Sequence, residues 1–134
     1  MSPYREVDHT ADWALHVWAL TLEELFVEAA RGMYTLVGAQ AQPGVTVHRR
    51  VELTAEDYES LLVAWLQELL YFTESEELVF TGYHIAHLEP THLRAEVEGG
   101  PTGRLDKMIK AVTYHNLKIN RTADGYDTTI VFDV

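Results

Sequence analysis

The chain has 134 residues, of which 47% are hydrophobic, enough for one domain with a real core. Its 21 Asp and Glu outnumber 10 Lys and Arg for a formal charge of −11, which disfavours a broad basic face and tight direct binding of RNA or DNA, and favours basic partner proteins instead. The lack of cysteine excludes disulfides, thiolate metal sites and cysteine nucleophiles; with no apolar run fit to cross a bilayer and no signal-peptide pattern at Met1–Glu6, the expectation is a cytoplasmic protein with no membrane partner.

The first strand is expected at Tyr4–Val7, ahead of the turn Asp8-His9-Thr10-Ala11-Asp12. Leu15–Ala19 reads as a second strand. Thr21 and Glu24 make a Thr-x-x-Glu capping box. Leu22, Leu25, Phe26, Ala29, Ala30, Met33, Leu36 and Val37 then recur at helical spacing, up to Gly38, which suits a helix end. Residues 40–44 read as a loop. Val45, Val47, Val51 and Leu53 predict a strand over Val45–Thr54 with one apolar face. Asp57 can cap a second helix whose stripe is Tyr58, Leu61, Leu62, Trp65, Leu66, Leu69 and Leu70. Val63 and Ala64 widen that stripe, so the helix is expected to be deeply buried, Trp65 included. Thr73–Glu77 reads as a polar, acidic connection. Val79–Leu88 and Leu93–Val97 read as a strand pair around Glu89-Pro90-Thr91.

Gly99-Gly100-Pro101-Thr102-Gly103 interrupts the pattern. Its backbone could cradle phosphate, but it lacks the Gly-Lys-Ser/Thr ending of a nucleotide loop, and a flexible loop is the favoured reading. Leu105–Ile109 is expected to form a short helical turn, and Thr113–Asn120 a strand. Ala123-Asp124-Gly125 signals a hairpin, and Thr128–Val134 closes the chain as a strand. The mixture of elements indicates an α+β fold: a single domain over residues 1–134, with a mixed or antiparallel sheet packed against two main helices.

In the closing strand Ile130, Phe132 and Val134 share one face and Asp133 takes the other. Asp133 therefore sits beside the carboxylate at Val134. If Asp12 converges there, three anionic groups need a cation, protons or basic groups to neutralise them. Oxygen donors of this kind suit Ca²⁺ or Mg²⁺. The bland alternative is a solvated Asp133 at a strand end and an Asp12 that fixes a turn with Thr10. The seven histidines are scattered, with no His-x-x-x-His or His-Glu-x-x-His helix, so the zinc hydrolase signature is absent. His9 and His115 could meet near Asp12. Lys110, set between apolar residues, reads as a snorkelling surface lysine or, beside carboxylates, as compensating charge or a partner contact.

The segments His9-Thr10-Ala11-Asp12, Thr21–Phe26 with Ala29-Ala30, Leu61–Tyr71, Lys110-Ala111-Val112-Thr113-Tyr114-His115 and Val131-Phe132-Asp133-Val134 closely resemble the archease family, in family order across nearly the whole chain. His-Thr-Ala-Asp together with Lys-Ala-Val-Thr-Tyr-His is the specific part of the match. The resemblance implies an α+β fold related to strand–helix–strand–strand domains. It implies a non-enzymatic protein cofactor for the GTP-dependent, 3′-phosphate RNA ligase of the RtcB type, promoting ligase guanylylation and multiple turnover in tRNA splicing or RNA repair. It also implies a divalent-cation site on Asp12, Asp133 and the carboxylate of Val134, with Ca²⁺ expected and Mg²⁺ or Mn²⁺ as alternatives. Lys110 matches the family's functional lysine, and His9 belongs to the other matching motif; both are expected functional or partner contacts. Gly99–Asp106 departs from the acidic or Arg-His-containing segment of many family members, so any partner contact made there is not carried over. The competing functions are a chaperone-like modulator of a tRNA-modifying methyltransferase and a small metal-dependent hydrolase using Asp12, Asp133 and His9.

Overall fold

The structure, a computed structural model, describes residues 3–7, 13–114 and 116–134. Its elements run β1 (Tyr4–Val7), β2 (Trp13–Ala19), α1 (Leu22–Leu36), β3 (Gln40–Ala41), β4 (Val47–Thr54), α2 (Tyr58–Glu76), β5 (Leu78–Glu89), β6 (His92–Arg104), β7 (Ala111–Thr113), β8 (Asn120–Thr122) and β9 (Gly125–Asp133). The expected α+β class holds, and all strand pairings among the described residues are antiparallel.

Both helices begin where side chains satisfy otherwise orphaned N–H groups. Thr21 Oγ1 accepts from the Glu24 N–H at 3.1 Å, and Asp57 Oδ1 accepts from the Ser60 N–H at 2.8 Å. That bond holds the Asp57 carboxyl below the usual carboxylate range. α1 stops at Gly38, whose φ of 64° is the left-handed conformation a helix end needs. An added Cβ there would lie 2.1 Å from Asp106 Oδ2. The segment after β6 packs on this end, with the N–H groups of Asp106 and Lys107 donating to the Val37 carbonyl.

β9 is the middle of the first sheet. β2 lies on one edge, with β1 outside it; β7 and β8 share the other edge, one along each half of β9. β6 plays the same part in the second sheet, with β5 on one edge and β4 and then β3 along the other. α1 packs on β1, β2, β9 and β5, and α2 on β4, β5, β6 and β7, so both helices touch both sheets. Their apolar faces and the inner faces of the sheets merge into one cluster built around Phe26, Trp65, Phe80 and Phe132. Full burial of each such side chain contributes about 1.5–3 kcal/mol. Trp65 is wholly buried, as its spacing predicts. Its indole N–H donates to the Phe26 carbonyl at 2.9 Å, tying α2 to α1.

Five local expectations are corrected, beginning with the loop at 40–44, whose Gln40 and Ala41 form β3 against β6. The polar stretch from Thr73 is no connection: α2 continues to Glu76 and reverses at Glu77, which adopts φ 55°. Thr73 Oγ1 bonds the Leu69 carbonyl and the Tyr34 hydroxyl, and Ser75 Oγ bonds the Tyr71 carbonyl, so these polar side chains turn back on the helix. Gly99–Gly103 is neither loop nor phosphate cradle; it lies within β6, where the strand passes from β4 to β3. Glycine is needed because the neighbouring backbone is so close: a Cβ on Gly99 would meet the Val79 carbonyl oxygen at 2.0 Å. Leu105–Ile109 forms no helical turn, since its backbone instead meets the end of α1 and buries Ile109. The strand expected over Thr113–Asn120 does not form: β7 ends at Thr113, β8 begins at Asn120, and the described residues between, 114 and 116–119, are not in a strand. Between them Asn116 takes φ 55° and the Ile119 N–H donates to Glu59 Oε2. Among the described residues, no helix is long and apolar enough to cross a membrane.

Candidate functional site

The expected functional residues that can be placed meet at the far end of β9. Phe132 is fully buried, with Trp13 of β2 opposite it on one side and Val112 of β7 on the other. One residue later the pleat turns Asp133 outward and exposed, while Val134 packs partly on the core. The faces are those expected from alternation. Asp133 lies opposite Ala111, and its carbonyl accepts the Lys110 N–H at 2.7 Å. Lys110 is itself exposed, while its neighbours Ile109 and Val112 are buried. Its side chain thus stands in water beside the Asp133 strand end, held by a backbone that is anchored on both sides.

The lysine and the aspartate are 23 residues apart in sequence, and short antiparallel pairing with β7 unites them. β7 is in turn held from behind: Gln67 of α2 donates to the Val112 carbonyl at 3.3 Å. Among the described residues, no side-chain hydrogen bond or ion pair engages the Asp133 carboxylate or the Lys110 ammonium. An exposed carboxylate of this kind is a hard oxygen donor that fits a hard divalent cation. Asp12 and His9, like His115, lie outside the described residues. Trp13, which directly follows Asp12, is the β2 residue that pairs with Phe132.

The Archease protein family (MTH1598/TM1083) matches residues 4–134. The chain belongs to the archease family. Relatives called protein archease include those of Methanosarcina acetivorans, 33% identical over 98% of this chain and 95% of that protein, and of Methanopyrus kandleri, 33% identical over 98% and 99%. The solution structure of protein 1598 from Methanobacterium thermoautotrophicum superposes with a TM-score of 0.71 at 25% identity, covering all of both chains. A Thermotoga maritima crystal structure, described as an archease and possible chaperone, shares the fold with a TM-score of 0.71 at 24% identity, covering 97% of this chain and 96% of that one.

At the other end of β9, the structure brings together residues that sequence reasoning left apart. His16 of β2 has its Nε2 3.2 Å from Asp127 Oδ2, and Asn120 of β8 donates to Asp127 Oδ1 at 3.2 Å. The three come from separate strands, and only their register on β9 aligns them. Trp18 stacks at a tilt with His16 at 5.3 Å between ring centres and lines a cleft of about 350 Å³ with Leu20 and Tyr126.

Proposed function

We propose that this chain is a non-catalytic activator of a GTP-dependent, 3′-phosphate RNA ligase of the RtcB type, working in the cytoplasm. It promotes ligase guanylylation and repeated turnover in tRNA splicing or RNA repair. Family membership supports this reading. The single observation that carries it to particular residues is the Lys110 N–H bond to the Asp133 carbonyl, which sets two of the family's functional positions side by side on an exposed strand end.

Asp12, Asp133 and the carboxylate of Val134 are the proposed ligands of one hard divalent cation, Ca²⁺ in the first instance and Mg²⁺ or Mn²⁺ otherwise. The exposed Asp133 carboxylate and the oxygen-only donor set fit such an ion. When bound, the ion supplies a positive centre able to attract phosphate oxygens. The chain's own residues do the rest. Phe132 fixes the strand end in the core, Asp133 projects from it, and Lys110 adds an exposed cation for contact with the partner. The −11 charge directs the chain toward a basic, RNA-binding protein rather than toward RNA itself.

A reconstituted ligation assay tests the reading, with this protein added below the ligase concentration. The expected result is more ligation events than molecules of activator, with stimulation lost in Asp133→Asn. No stimulation by the native chain would reject it. A pull-down that recovers a tRNA-modifying methyltransferase and no ligase would favour the modulator reading instead.

A further inference from the structure

Alternation along β4, β5 and β6 sends Leu53, Leu88 and Leu93 toward the core and their neighbours to the outer face of the second sheet. At the hairpin end of that face, Glu89 of β5 stands opposite His92 of β6, which stands opposite Thr54 of β4. In the next row, His87 and Glu52 flank Arg94. One ligand atom each from His87, Glu89 and His92 lies within 4.8 Å of the other two. His87 Nε2 is 3.2 Å from Glu89 Oε2, and the two imidazoles are 5.3 Å apart between ring centres. His92 Nε2 is 3.0 Å from Glu52 Oε2.

We propose that His87, Glu89 and His92 form a binding site for a borderline divalent transition-metal ion, Zn²⁺ being the type case, with Glu52 as the residue that orients His92. Two imidazole nitrogens and one carboxylate oxygen are a donor set that zinc takes, leaving a fourth position for water. Tetrahedral bonds of about 2.0–2.1 Å put neighbouring donors about 3.4 Å apart, so modest side-chain rotation closes the present spacing. The scaffold needs no rearrangement: all three ligands stand on paired strands joined by the two-residue turn Pro90-Thr91. With the proton on Nε2, His92 donates to Glu52 and Nδ1 keeps the lone pair that an ion would take, the carboxylate–imidazole–metal arrangement that sets tautomer and ring angle. Arg94 opposes a cation here, and the carboxylates Glu52 and Glu89 offset it. A cross-strand His–Glu pair is by itself an ordinary surface contact; the approach of two imidazoles and the Glu89 carboxylate to within 4.8 Å of one another distinguishes this corner. The site lies in the other sheet from Asp133 and differs in donor chemistry, so it stands whether or not the ligase reading does.

The test is calorimetric titration with Zn²⁺ alone. It compares the native chain, His87→Ala with His92→Ala, Glu52→Gln, Asp133→Asn, and a control carrying His48→Ala with His84→Ala, histidines further along the same face. The expected result is one high-affinity zinc per chain, abolished in the first variant. Affinity is weakened about 10–100-fold in Glu52→Gln and unchanged in Asp133→Asn and the control. Circular dichroism checks that each variant is folded, and a His87→Gln, His92→Gln chain replaces the alanine variant if that one is not. Native-like zinc binding without His87 and His92, or loss of binding in Asp133→Asn or in the control, would overturn the proposal.

Discussion

Phe132 and Asp133 are adjacent and face opposite ways, so replacing each should fail in a different manner. The Phe132 ring is fully buried between Trp13 and Val112 in register. Truncation in Phe132→Ala removes that packing and leaves a cavity, at a cost of about 3–5 kcal/mol. For a chain of this length each kcal/mol lowers Tm by about 3–5 °C, giving a fall of roughly 10–25 °C. Asp133→Asn nearly preserves shape at an exposed position with no side-chain partner among the described residues, so stability should change by no more than about 0.5 kcal/mol. Under the proposed ligand set, removing one carboxylate relieves repulsion in the metal-free protein rather than adding to it. Thermal melts followed by circular dichroism, beside Ca²⁺ titration and the ligation assay, separate the two roles. Asp133→Asn is expected to lose cation binding and ligase stimulation at near-normal Tm. If it stimulates normally, the site assignment is wrong. If Phe132→Ala melts within a few degrees of the native chain, the packing argument is wrong.

Gly99→Ala should destabilise by about 1–3 kcal/mol or more, because its Cβ would meet the Val79 oxygen at 2.0 Å and Phe80 Cα at 2.7 Å, both backbone atoms; a denaturant midpoint equal to the native value would refute the close approach. Asp57→Ala should weaken the start of α2 whereas Asp57→Asn keeps the cap. Because the folded Asp57 carboxyl is depressed, its contribution is present above the unfolded value and lost as pH falls through the folded one, so the native chain and Asp57→Ala should converge in stability in acid. Burial pushes the Tyr34 and Tyr83 phenols well above their ordinary value of 10.0. Their contribution is full below that pH and declines as pH rises beyond it; phenolate absorbance should show these two ionising only with alkaline unfolding, and earlier ionisation in the folded chain would contradict their burial.

Periodicity made both helices legible, because one side of each must be apolar to join a core and Thr21 and Asp57 are chemically suited to begin them. Alternation likewise gave the inward face of Phe132 and the outward face of Asp133, since successive strand side chains cannot share a side. The family resemblance rested on short motifs and needed no geometry. The Gly99–Gly103 segment was misread because glycine signals a turn when backbone is free and a close approach when another strand lies against it, and composition does not distinguish these. Thr73 and Ser75 were misread for a similar reason: their hydroxyls can end a helix or bond back onto it, and the buried Tyr34 hydroxyl supplies Thr73 with a partner from α1. The pairing of Lys110 with Asp133, the approach of His16 and Asn120 to Asp127, and the meeting of His87, Glu89 and His92 all depend on register. Register is set by which apolar sets face the common core, a property of several strands at once, and so only the folded chain decided it.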